Sequence, residues 1–108
     1  MSDYSGLSDF EIDRKITELI YIDLLSCKSF EWDEEKQVYW SEGRGISVLC
    51  YCANWFLAGK LMEENNISLQ FRDKGEPMAN SFDFYSVNES PKRAIAECYL
   101  MMMESNNE

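Results

Sequence analysis

SFEWDEEKQVYWS, residues Ser29 to Ser41, is the stretch where the spacing of apolar residues changes from helical to alternating. Phe30 and Trp32 alternate with Glu31 and Asp33, and Val38 and Trp40 alternate with Gln37 and Tyr39. Side chains two apart share a face of a strand, so period two predicts a pair of strands. The polar run Asp33, Glu34, Glu35 and Lys36 between them fits a hairpin loop. Val38 and Trp40 are expected to face inward and Tyr39 outward. The two strands rule out an all-helical chain.

The flanking segments carry helical spacing. In LSDFEIDRKITELI, Ser8 stands as an N-cap with Glu11 completing a capping box, and Leu7 and Ile12 occupy the positions of a hydrophobic staple. Ile12, Ile16, Leu19 and Ile20 form the apolar stripe, which leaves Asp9, Asp13, Arg14 and Glu18 to water. After the hairpin, EGRG is punctuation and ISVLCYC reads as a third, mostly buried strand. ANWFLAGKLMEENN predicts a helix capped by Asn54 and stopped at Asn65 or Asn66, with Trp55, Leu57, Ala58, Leu61 and Met62 on one broad face. ISLQFR and SFDFYSV alternate again, separated by the loop DKGEPMAN. The last helix opens with Ser90 as cap and Pro91 at its first position. Along it Ala94, Ile95, Cys98, Tyr99 and Met102 make one stripe, so Met102 fills core. Met101 and Met103 flank it as further filling or as a seam between copies of the chain, and residues 104–108 are expected to fray. The order is α-β-β-β-α-β-β-α in one mostly antiparallel α+β domain spanning residues 1–108.

The chain has 108 residues, with 20 acids against 10 bases, no histidine and a formal charge of −10. That charge changes little between about pH 6 and 8, because no side chain of ordinary pKa titrates there. Such a field repels nucleic acid and anionic lipid and draws basic surfaces. No apolar run follows a basic start, and Ile46 to Leu61 is interrupted by Ser47, Asn54, Gly59 and Lys60, so neither a signal peptide nor a bilayer span is expected. A cytoplasmic setting follows, in which Cys27, Cys50, Cys52 and Cys98 are expected as free thiols.

Two stretches resemble the phage NinX-like family, small proteins of tailed bacteriophages and prophages. Tyr4, Ser5, Leu7, Ser8, Asp9, Phe10, Glu11 and Ile12 match the family's start, and Pro91, Arg93, Ala94, Leu100, Met101 and Met102 match its end. GKLMEENNISL sits where such proteins carry a helix leading into Ile-Ser-Leu. The resemblance covers about half the chain and omits the hairpin. It implies a phage protein at work in the cytoplasm of an infected bacterium, and it brings no catalytic or ligand residues with it.

Without histidine, Ser-His-Asp, Cys-His and histidine metal sites are excluded, and GRG lacks the length and the Lys-Ser/Thr sequel of a phosphate loop. Glu34-Glu35 and Glu63-Glu64 fall in a turn and a helix end, where solvation explains them. Cys50 and Cys52, two apart in a strand, share a face and pack as core thiols rather than as a zinc pair. No enzyme, no metal and no cofactor is therefore expected. The hairpin is the candidate surface: Glu31, Asp33, Glu34, Glu35, Tyr39 and Glu42 would meet a basic partner, aromatic anchors being typical of interface hot spots. The function this points to is binding and inhibition of a host protein with a basic surface, a nuclease or defence complex, with carboxylates imitating DNA phosphates. Direct nucleic-acid or membrane binding is not expected. One alternative is a small-molecule sponge, with Trp32, Trp40, Trp55 and Tyr39 stacking a base and Arg44, Arg72 or Arg93 holding a signalling nucleotide's phosphate. Another is an accessory factor in phage recombination or host takeover.

Overall fold

The computed structural model describes Tyr4, residues 6–27 and residues 30–106. The first helix, α1 (Asp9–Ile20), begins as its sequence requires. The Ser8 hydroxyl accepts from the Glu11 N–H at 3.1 Å, and the Glu11 carboxylate accepts from the Ser8 N–H at 2.9 Å. Tyr21 closes α1, and a short helix, α2 (Ile22–Cys27), follows without a sequence signal strong enough to have been read.

Two three-stranded antiparallel sheets come next, divided by a helix. The first contains β1 (Glu31–Asp33), β2 (Val38–Ser41) and β3 (Arg44–Ser47) in that order. The β1–β2 loop is residues 34–37, one position later than the charge run suggested, with Gln37 in the left-handed region. Glu42 and Gly43 form the β2–β3 turn, both at positive φ as a type I′ turn demands. Strand β3 therefore starts inside EGRG and ends at Ser47. Its residues are largely exposed, so the buried strand expected over ISVLCYC is corrected: residues 48–54 are a connecting loop.

Helix α3 (Trp55–Asn65) is capped by the Asn54 side chain, which accepts from the Leu57 N–H at 3.1 Å, and is stopped by Asn66 in the left-handed conformation. Ala58 and Leu61 carry its buried face; Trp55, expected there, is exposed. The second sheet contains β4 (Ser68–Gln70), β5 (Met78–Ser81) and β6 (Phe84–Val87). SFDFYSV is thus not one strand. A turn at Phe82 and Asp83 splits it, and Met78–Ser81, whose first three residues the sequence reading places in the loop DKGEPMAN, becomes the central strand. The α+β class, with antiparallel strands packed by helices, is the observed architecture.

Helix α4 (Pro91–Asn106) is the axis of the core. Seven successive residues, 94–100, are buried, because α1 and α3 cover some sides of the helix and β5 and β6 another. Ile12 and Ile16 from α1, Ala58 and Leu61 from α3, and Ala79 from β5 close around them. Met101, Met102 and Met103 are half-buried against this cluster. Glu104 is held by Lys15 at 3.9 Å and by the Tyr4 hydroxyl, and α4 runs to Asn106. Asn107 and Glu108 lie outside the described residues, as do Ser5 and Ser29.

Arg93 locks the two ends of the chain together. Its guanidinium donates to Glu97 at 2.7 Å, to Asp9 at 2.8 Å, and to the carbonyls of Tyr4 and Leu7 at 2.8 and 2.6 Å. Glu97, itself buried, also accepts from the Ser86 hydroxyl at 2.5 Å, which ties β6 to α4. Arg93 is engaged in the fold, so the sponge reading loses it as a phosphate holder. Arg72 is exposed and donates to the Glu76 carbonyl at 2.9 Å within its own loop.

Candidate functional site

The first sheet contributes nothing to the main core cluster and is attached to the body through side chains of α1. Trp32 and Tyr39 are cross-strand partners, so they share a face, and that face meets α1. Arg14 donates to the Tyr39 hydroxyl at 2.9 Å, and that hydroxyl donates to Glu18 at 2.5 Å. The same guanidinium lies 3.8 Å from the Trp32 ring centre, and Phe10 packs 6.2 Å from that ring. Burial pushes the Tyr39 phenol above its ordinary pKa, and the Tyr39 hydroxyl does the same for Arg14.

The faces of the hairpin are therefore the reverse of the expectation. Tyr39 is buried at 7% exposure, whereas Trp40 is 43% exposed. Alternation identifies which side chains share a face and is silent on which face is covered; both faces of this hairpin carry aromatics, and Arg14 and Glu18 select the one bearing Tyr39. These two residues, assigned to solvent from the sequence, are what hold the sheet. Their i, i+4 spacing on one face of α1 was the available signal.

The acids of the hairpin divide into structural and free. Asp33 accepts from the Lys36 N–H at 3.1 Å and so builds the turn. Glu34 accepts from the Trp32 indole N–H at 2.5 Å. Among the described residues, Glu31, Glu35 and Glu42 are exposed and make no side-chain hydrogen bond or ion pair. Glu35 belongs to the β1–β2 loop and Glu42 to the β2–β3 turn, at opposite ends of β2, with Glu31 paired opposite Trp40 between them. Trp40 lies across Gly45, where a Cβ would come within 3.2 Å of the indole, and Lys36 sits 5.0 Å over its ring. Arg44 is exposed beside the turn and forms no stacked pair with Trp32 or Trp40. The outer surface is thus one exposed indole bordered by unpaired carboxylates.

Across the described residues the basic side chains are used unusually. Lys15 and Arg93 pair with acids, but Arg14, Lys36, Lys60 and Lys92 lie over aromatic rings: Trp32, Trp40, Phe56 and Trp55. Exposed aromatics gain about 0.5–1 kcal/mol each from such pairs. The consequence is electrostatic, because the carboxylates have few partners of their own and the negative field stays at the surface.

The loop before α3 is held by α1. Asp13, expected in water, is buried and accepts from the Cys52 N–H at 2.9 Å. Thr17 donates to the Asp13 carbonyl and accepts from the Leu49 N–H at 3.1 Å. Burial raises the Asp13 carboxyl above the ordinary range. The C-x-C thiols diverge, Cys50 to solvent and Cys52 to the core, because this segment is a loop and not a strand. Burial and the Asp13 carboxylate push the Cys52 thiol up, and burial pushes Cys98 up to about 11. The Cys27 side chain lies outside the described residues.

Two concavities flank α1. One, of about 460 Å³, has an apolar floor including Leu19, Leu25, Phe30 and Leu100, with the Lys15–Glu104 pair at its edge. The other, of about 340 Å³, is enclosed by the end of α1, the 49–51 loop, α3 and α4. No helix among the described residues is long and apolar enough to cross a membrane.

No family model and no curated protein matches the chain, so the NinX-like resemblance gains no support from either. Among solved structures, the 2.0 Å crystal structure of a phage protein from Bacillus cereus ATCC 14579 is similar over 96% of this chain and 94% of that one, with a TM-score of 0.67 and 15% identity. At that identity the likeness is one of fold.

Proposed function

We propose that this chain is a non-catalytic phage protein that binds a basic surface of a host nucleic-acid-handling or antiviral defence factor and inhibits it in the cytoplasm of the infected bacterium. The carrying observation is the division of charge: four cations are drawn onto aromatic rings, and Glu31, Glu35 and Glu42 stand unpaired around the exposed Trp40. A surface of that kind accelerates encounter with a basic partner and offers one indole as an anchor. The fold likeness to a phage protein and the resemblance of the chain's ends to the NinX-like family support the phage setting.

The test is affinity capture of DNA-binding proteins from a bacterial lysate, with duplex DNA as competitor. The expected outcome is a retained nuclease or defence component that DNA displaces and that a Glu31→Gln, Glu35→Gln, Glu42→Gln variant binds more slowly and with a flatter salt dependence. Retention insensitive to DNA and to the triple substitution would overturn the reading.

A further inference from the structure

The cavity between α1, the 49–51 loop, α3 and α4 carries three tyrosines, Tyr21, Tyr51 and Tyr99. Tyr51 is 4% exposed and Tyr99 7%. Neither phenol makes a hydrogen bond to another described residue, yet no side-chain oxygen in the described residues is both sealed from solvent and unpartnered. Both oxygens therefore keep contact with solvent, and both residues line the cavity. A phenol that is largely buried, with a hydroxyl that reaches solvent and has no protein partner, can hydrogen-bond a ligand without breaking a bond of the fold.

The remaining lining defines the chemistry. At the exposed rim Glu64 supplies an acceptor and Lys60, whose ammonium also lies over Phe56, a donor, while Leu49 and Leu57 provide apolar wall. Burial together with Tyr21, Tyr99 and Glu64 pushes the Tyr51 phenol up to about 12, and burial raises Tyr99 as well, so both remain O–H donors throughout the physiological range. The rings of Tyr51 and Tyr99 pack in the main core cluster, so what these two residues can offer a ligand is the hydroxyl and not the ring face. We propose that this cavity binds an uncharged planar ligand of nucleobase or nucleoside type, its alternating donors and acceptors met by the Tyr51 and Tyr99 hydroxyls, Glu64 and Lys60. A volume of about 340 Å³ is at the small end of ligand sites and suits one such unit. A phosphate is disfavoured by Glu64 and by the formal charge of −10. None of the residues that line the cavity belongs to the hairpin.

Titration calorimetry and ligand-observed NMR with adenosine, guanosine, cytidine and uridine test this on the full chain. At least one nucleoside is expected to bind, with its 5′-monophosphate at least tenfold weaker. Tyr51→Phe and Tyr99→Phe remove only a hydroxyl each and should weaken binding severalfold while the parent's melting temperature is kept, as befits one lost hydrogen bond. Shifts of the Tyr51 and Tyr99 ring protons on titration provide a readout that needs no variant. The proposal falls if no nucleoside binds up to about 5 mM, if the monophosphate binds equally well, or if both Phe variants bind as the parent does.

Discussion

The guanidinium of Arg14 lies 3.8 Å from the ring centre of Trp32 and donates a hydrogen bond to Tyr39, so one α1 side chain holds both aromatic partners of the β1–β2 pair. The first sheet rests on this contact and on the Tyr39 to Glu18 bond rather than on the main core. Arg14→Ala is expected to cost about 1–3 kcal/mol. Amide hydrogen exchange should quicken in β1–β3 while α4 stays protected. Uniform loss of protection across both regions would contradict this attachment.

Tyr39 separates packing from recognition in the same place. Tyr39→Phe should lose about 1 kcal/mol with the hydroxyl's two bonds, and Tyr39→Ala about 3–5 kcal/mol with the buried ring. Trp40→Ala removes a half-exposed ring and is expected to leave the melting temperature within about 3 °C of the parent. Thermal unfolding of the three variants checks the order.

Ser8→Ala removes the side-chain acceptor of the capping box and should cost about 1 kcal/mol without changing the fold. The carboxyl of Glu11 is held below its usual pKa by the Ser8 N–H and hydroxyl, so its contribution is present above the ordinary glutamate pKa and fades as pH falls through the lowered one. The penalty of Ser8→Ala should accordingly shrink in acid, as chemical denaturation at pH 7 and pH 3 would register.

Asp13 runs the other way. Its folded pKa is raised, so the native state holds the proton more tightly than the unfolded chain, and its contribution to stability declines as pH rises from about 4. Asp13→Asn keeps an acceptor for the Cys52 N–H without the buried charge. The variant should gain on the parent as pH climbs through and above the carboxylate range. Asp13→Ala leaves that N–H unpaired and should cost about 1–3 kcal/mol at every pH.

Arg93→Met strands Glu97 in the core and should destabilise by about 3–5 kcal/mol. Adding Glu97→Gln removes the stranded charge and is expected to restore a substantial part. A double-variant stability equal to that of Arg93→Met alone would show that the carbonyls of Tyr4 and Leu7, and not Glu97, are the partners that matter.

What the sequence by itself determined lies within a few residues along the chain. Ser8 with Glu11, Asn54 with Asn66, and Ser90 with Pro91 mark helix ends because capping satisfies backbone groups only three or four positions away. The α+β class and the excess of negative charge are legible for the same reason, since alternation, helical spacing and composition are local or additive. Strands of three or four residues were the weakest signals: MANS was hidden by loop-forming neighbours, and the Phe82–Asp83 turn broke a pattern that looked continuous. Tertiary structure alone decided the faces. Asp13 joined the core because the Cys52 N–H arrives there from 39 positions away, and Tyr39 was buried rather than Trp40 because Arg14 and Glu18 met it. Cys50 and Cys52 parted, and three tyrosines from three segments converged on one cavity, through the same cause. A side chain's surroundings are set by whichever distant surface packs against it, and no short-range pattern encodes that arrival.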